Sequence, residues 1–276
     1  MQIRSVMCCN KTQPLLLALL ILFCVMTLAC KNPFMNSQAA RFFSDPAQLK
    51  MAHAIEANDT STIRQMIQKH IVSANDFGTA TKDQPISFLT YAVMVKNKKS
   101  MHELIANGAD PNFKTPDGWS AMAEAVRSPD PSLLPFLLDA GGNANLTGPG
   151  GNPITFQACL ALRWENLYLL LNRGADINAR DGSGEVLLLS MAHLNAYEQM
   201  LELLKRGADP TITRGKNKVS VAWAVQERAG RLTPEREVLR QRVIHELEAR
   251  GVHFPVPKPP SYKWNPAQHK FVLPAK

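Results

Sequence analysis

The sequence is poor in cysteine, and its cysteines are unevenly placed. Of five in 276 residues, Cys8, Cys9, Cys24 and Cys30 fall within the first thirty positions, and Cys159 stands alone beyond them. No disulfide framework can form after Cys30, so stability there must come from packing. Acidic residues are equally scarce at the start: none precedes Asp45, and Glu56 is the next. The apolar run from Leu15 to Val25 is too short to span a bilayer comfortably as a helix. The chain has no phosphate-binding glycine loop, no His-Glu-x-x-His and no Cys-x-x-Cys pair, and its histidines are scattered without ligand spacing. Nor do basic and aromatic residues form the ladder of a nucleic-acid groove. These absences argue against catalysis, a metal, a cofactor, a small-molecule substrate or a nucleic-acid partner.

What is present is an ordinary globular balance, 45% hydrophobic and 20% charged, with a net charge of +8. The charge favours acidic partners or anionic surfaces without choosing between them. One pattern dominates. Gly108-Ala109-Asp110, Gly141-Gly142-Asn143, Gly174-Ala175-Asp176 and Gly207-Ala208-Asp209 follow one another with glycines 33 residues apart. A leucine-rich pair precedes each glycine (Leu104-Ile105, Leu137-Leu138, Leu170-Leu171, Leu203-Leu204). Asn112, Asn145 and Asn178 follow three of them, and Ala92, Ala125, Ala158 and Ala224 keep the same phase, with Met191 in the fourth slot. A fixed period of this length predicts an all-α repeat solenoid. The leucines pack against the neighbouring unit, glycine ends the second helix of each pair, and the Asp and Asn bond to backbone in the following turn. One such pair cannot bury its own apolar face, so several must stack.

The period and these positions resemble the ankyrin-repeat family over roughly residues 47–252. The resemblance implies about five to six helix-turn-helix units joined through β-turn fingers. The family's Thr-Pro-Leu-His-x-Ala segment is degenerate here, reading Ser87-Phe88-Leu89-Thr90-Tyr91-Ala92 and Ser120-Ala121-Met122-Ala123-Glu124-Ala125, and no histidine holds the usual place. Ser44-Asp45-Pro46 reads as a helix start, so the repeat domain is expected over 44–252. Clear units fall near 80–112, 113–145, 146–178 and 179–211. The last unit carries about eleven extra residues, placed near "RLTPEREVLRQ" as a lengthened helix or loop.

The two ends differ from the repeats. Arg4 and Lys11 followed by the apolar run fit a secretory signal peptide, with Met7 an alternative start. Met26-Thr27-Leu28-Ala29-Cys30 resembles a bacterial lipobox. That resemblance implies removal of 1–29, lipidation of Cys30 and, with Lys31 next, residence at the outer membrane facing the periplasm; the alternative is an uncleaved anchor. The processed chain would keep 29 basic and 23 acidic residues, a net +6. Residues 30–43 read as a tether. The proline-rich tail, 253–276, favours extended structure and either caps the last unit or grips a partner or an anionic membrane surface.

Family members bind proteins through their fingers and the exposed side of their first helices. Carried over by position, this implies partner contacts at Asp117, Trp119, Arg127, Asn152, Glu185, His193, Lys216 and Lys218, and Arg180 joins them as part of a basic end of the finger row. Trp119 leads as a hot-spot residue, unless it packs along its own hairpin. Trp164 and Trp223 read as half-buried between units, and Cys159 as a small core residue. Lipobox plus repeats is similar to ankyrin-repeat lipoproteins that serve as immunity proteins against type VI secretion toxins of the Tle phospholipase class. This implies a lipid-anchored periplasmic protein that inhibits a secreted enzyme by blocking its active site. The alternative is an envelope scaffold or assembly factor for a secretion or outer-membrane complex.

Overall fold

The computed structural model describes residues 38–79, 85–215, 218–259, 263–265 and 270–272. The expected leader, Cys30, the first part of the tether and Lys216 lie outside the described residues.

Six helix pairs follow one another among the described residues. They are α1 (Pro46–Glu56) with α2 (Thr60–Gln68), α3 (Phe88–Met94) with α4 (Lys98–Ala106), and α5 (Ala121–Arg127) with α6 (Leu133–Asp139). Then come α7 (Ile154–Leu160) with α8 (Trp164–Asn172), α9 (Leu187–His193) with α10 (Tyr197–Lys205), and α11 (Val221–Gln226) with α12 (Pro234–Glu248). Five of these twelve helices begin at a side-chain cap. Asp45 accepts from Ala47 N and Gln48 N at 2.9 Å, with Pro46 in the first turn. Ser87, Ser120 and Ser220 accept from the amides of Thr90, Ala123 and Trp223, relieving donors that have no partner inside their helices.

Each second helix ends where a left-handed residue is needed. Gly174 has φ 85°, and a Cβ added there would meet nothing within 4 Å. Backbone conformation, not space, therefore selects glycine. After the glycine, Asp or Asn accepts from the amide two residues on, as in Asn178 N to Asp176 Oδ1 at 2.8 Å. The asparagine that follows does more than bond locally. Asn145 Nδ2 donates to Gly174 O at 2.9 Å, and its Oδ1 accepts from Asp176 N at 2.8 Å, both in the next unit. Asn112 does the same for Gly141 and Asn143, and Asn75 for Gly108 and Asp110. A ladder of asparagine clamps thus joins the units along one edge.

The core is continuous from the first pair to the last. Leu104, Leu137, Leu170 and Leu203 are fully buried, as are Ala92, Ala125, Ala158 and Met191. The first helices pack in sequence, α1 on α3, α3 on α5, α5 on α7, α7 on α9 and α9 on α11. Close packing between second helices is confined to α2 on α4 and α10 on α12. Small side chains let the first helices approach, so the array bends toward them. That face carries the fingers: the strand pair Phe77–Gly78 (β1) and Ile86–Ser87 (β2), then bridges Thr147 to Pro153, Arg180 to Val186 and Arg214 to Val219.

One sequence expectation needs correction here. The tether does not reach residue 43: Ala39–Arg41 form a 3-10 turn, and Phe43 is buried, its ring 5.3 Å from that of Phe88 and 5.4 Å from that of Tyr91. These aromatics cover the open side of the first units. Gly78 permits the approach, since a Cβ there would lie 2.3 Å from the Phe42 carbonyl oxygen. The extra residues of the last unit fall in one continuous stretch that includes "RLTPEREVLRQ", the loop before α12 and the start of that helix. The loop before α12 is longer, and α12 itself runs 15 residues against 9 in α10. The hairpin of the 113–145 unit departs from those of its neighbours. Lys96, Leu162 and Asn195 turn their hairpins at φ 55–57°, but the matching position holds Pro129, whose ring forbids that φ. Ser128–Ser132 form a longer bend instead, pinned by Asp130 accepting from Ser132 N at 2.9 Å.

Past α12 the chain turns back. Gln226 exchanges two hydrogen bonds with the backbone of Val256 (3.0 and 2.8 Å), and Val252, Phe254 and Val256 pack against the core. Lys263–Asn265 (β3) pairs antiparallel with Lys270–Val272 (β4).

Candidate functional site

Three of the expected contact residues converge. Trp119 stands at the base of the second finger, where Thr115 N donates to its carbonyl at 2.9 Å. Asp117 Oδ1 accepts from Trp119 N at 3.3 Å and is also bonded by the Thr115 hydroxyl. Asp117 is exposed, yet one carboxylate oxygen holds the finger closed. Arg127, at the end of α5, lays its guanidinium 5.2 Å from the Trp119 ring centroid. Trp119 is therefore half-buried and flanked by a cation rather than projecting free. The stack presents a planar guanidinium whose orientation is fixed before anything binds.

These residues border two clefts on the first-helix face. One, of about 320 Å³, is lined by Phe42, Pro85, Ile86, Met94, Asp117, Trp119, Glu124 and Arg127. The other, of about 500 Å³, runs between α3, α5 and the end of α7, and includes Lys96, Glu124, Arg127 and Arg163. Glu124 forms part of both. Burial pushes its carboxyl up, against the opposing pull of Arg127 and of a hydrogen bond from Trp119. Sequence reasoning missed Met94, Lys96, Glu124 and Arg163. The one available signal was phase: Met94 and Arg127 occupy the same repeat position, 33 residues apart.

The remaining expected contacts sit farther along the fingers, and several are committed within the fold. Asn152 Oδ1 accepts from Gly182 N at 2.9 Å, tying one finger to the next. Arg180 Nη1 donates to the carbonyls of Gly184 and Thr213, at 2.8 and 3.1 Å. Glu185 is a correction: it is 7% exposed and cannot serve as a surface contact. Its carboxylate accepts from Ser190 Oγ (2.6 Å) and Arg214 Nη1 (2.9 Å) and lies 3.2 Å from His193 Nδ1. Burial pushes the Glu185 carboxyl up, but the hydrogen bonds from His193 and Ser190 and the nearby charges outweigh it, so it lies below the usual value. Ser190 and His193 both bond the carboxylate, which is no nucleophile–base arrangement. His193 and Lys218 are exposed.

Cys159 is fully buried, and desolvation pushes its thiol up to about 12, as befits a packing residue rather than a nucleophile. Among the described residues no His, Cys, Asp and Glu group could hold a metal ion, and no helix is long and apolar enough to cross a membrane.

Comparison with known proteins agrees with this geometry. Residues 89–181 match the family model for ankyrin repeats (3 copies). Ankyrin repeat domain-containing protein 13C of Homo sapiens is 30% identical over 95 residues, 34% of this chain and 16% of that protein. Protein PhlB of Serratia liquefaciens is 31% identical over 127 residues, 45% of this chain and 53% of that protein. The chain thus spans about half of the second relative and a small part of the first. Among solved structures, the ankyrin repeat domain of Bcl-3, a member of the IkappaB protein family, superposes with a TM-score of 0.61 at 21% identity. That match covers 74% of this chain and 87% of the other and concerns the fold alone. The array is an ankyrin-repeat solenoid, and such repeats imply a protein–protein interaction role. Ankyrin-repeat proteins are typically binding scaffolds without enzymatic activity.

Proposed function

We propose that the chain is a lipid-anchored, periplasm-facing binding protein that sequesters and inhibits a protein partner. In this reading it is an immunity protein that neutralises a type VI secretion phospholipase toxin by occluding its active-site entrance. One observation carries it: the open cleft on the first-helix face between the second and third units, bordered by Trp119 and Arg127. A tryptophan and an arginine stacked beside an open cleft have the composition of a binding hot spot. The lipobox-like Met26–Cys30 and the signal-like leader support export of this surface to the compartment where such toxins act. Inhibition by occlusion needs only a rigid surface, which the clamped array supplies.

The test is genetic and biochemical together. A strain lacking the gene is expected to become sensitive to toxin-bearing sibling cells. Tagged protein recovered from the envelope is expected to bring down one enzyme whose activity falls as the complex forms. Unchanged resistance, with only resident envelope proteins recovered, would replace this reading with that of an envelope scaffold.

A further inference from the structure

The larger cleft carries an unbalanced set of charges. Lys96, Arg127 and Arg163 come from three successive units and line one recess of about 500 Å³. Arg127 is fixed by its stack on Trp119, and Arg163 by donating Nε to the Arg127 carbonyl at 3.2 Å. Neither makes a salt bridge among the described residues, nor does Lys96. Two acids are near. Glu124 shares the recess, its carboxyl pushed up by burial, and Asp130 feels Lys96 only at longer range while bonded to Ser132. Both arginines thus keep their terminal N–H groups uncommitted in a fork that suits a carboxylate.

Apolar side chains are interspersed among these charges. Val93, Met94, Pro129 and Ala161 line the same recess, and an adjoining cleft of about 270 Å³ shares Ser128, Pro129 and Arg163 and adds Leu162 and Trp164. Leu162 there, and Leu160 one residue before Ala161, are 55% and 67% exposed. Leu162 also holds φ 56°, a left-handed conformation that disfavours a leucine. The long bend at Pro129 opens the space between these clefts.

The geometry points to this recess as the docking site for an acidic protein segment, whose carboxylates meet Arg127, Arg163 and Lys96 while an interleaved apolar side chain lies against Leu160, Leu162 and Pro129. A flat anionic bilayer could not enter a recess between first helices, and a bare phosphate would leave the apolar wall uncovered. The inference deepens the proposed binding function and rests on it.

Fluorescence anisotropy with a labelled peptide of alternating glutamate and leucine tests it on the full chain. Saturable binding is expected, weakening steeply with salt. It should fall about tenfold in Arg127→Gln and in Arg163→Gln, and less in Lys96→Gln, whose exposed side chain has no packing duty. The glutamine–leucine counterpart should not bind, and Arg231→Gln, on a distant turn, should change nothing. Absence of saturable binding, equal binding of the uncharged peptide, indifference to all three cleft variants, or comparable binding to phosphatidylglycerol vesicles would each overturn the assignment. The partner recovered from the envelope separates the two levels. Capture lost in Trp119→Ala but kept in Arg127→Gln and Arg163→Gln defeats this inference alone, whereas capture indifferent to all of them defeats the binding face itself.

Discussion

Trp119 shows how one side chain can belong to both the fold and the surface. Its ring packs against the core and under Arg127, yet it borders the open cleft. Trp119→Ala is expected to lower stability by about 1–2 kcal/mol, from lost apolar contact and the cation–π pairing. Thermal unfolding would register this as a drop of a few degrees, together with a larger loss of partner capture. Trp119→Phe should restore most of the stability. Glu237 tests the ion pairs instead. Hydrogen bonds from Arg240, then Gln241, hold its carboxyl down at about 2, against 4.5 for an unperturbed glutamate. Arg240 is 4% exposed and depends on this partner. A depressed carboxylate stabilises the fold above its unfolded value, and that contribution disappears as pH falls from 4.5 toward 2. Glu237→Gln should cost about 1–3 kcal/mol near neutrality and flatten the acid limb of stability against pH, read by denaturant titration at several pH values.

At the scale of elements, the sequence was most legible where one residue decides a local conformation. The 33-residue glycine spacing, the Asp45 cap and the buried leucines each follow from backbone or burial rules that need no partner unit. The asparagines were legible as turn residues but not as clamps, because the atoms they bond belong to the next unit. The burial of Glu185 was hidden for the same reason: Arg214, its counter-charge, lies 29 residues on. Phe42 and Phe43 precede any periodicity, so nothing in the sequence marked them as core. The candidate site was half legible. Repeat position gave Trp119 and Arg127, but Arg163 entered through the hairpin that Pro129 reshapes. Asn145→Ala removes both bonds of one clamp, at 2.9 and 2.8 Å, and is expected to cost about 1–2 kcal/mol in urea unfolding. Asn145→Asp keeps the acceptor and should recover about half of it.

Taken as a whole, the molecule is a chain of nearest-neighbour contacts with special ends. Stability in such an array is a sum over units and the interfaces between them. The aromatic group of Phe43, Phe88 and Tyr91 closes one end, and α12 with Val252–Val256 closes the other. Phe43→Ala is expected to cost about 3–5 kcal/mol, and the loss should be local first. Hydrogen exchange should accelerate in α1 and α3 while α7 and α9 keep their protection. Uniform acceleration in all helices would show instead that the array opens as one cooperative body.

The asparagine ladder has a mechanical corollary. Because each rung fixes the distance from one unit to the next on a single border, that border can neither stretch nor shorten without breaking a pair of bonds. Compliance is left to the bodies of the second helices, where α6 packs sparsely on α4 and α8. A guest pressing into the hollow would therefore splay or draw together those outer helices, as a hand opens about its knuckles, and leave the knuckle line unmoved.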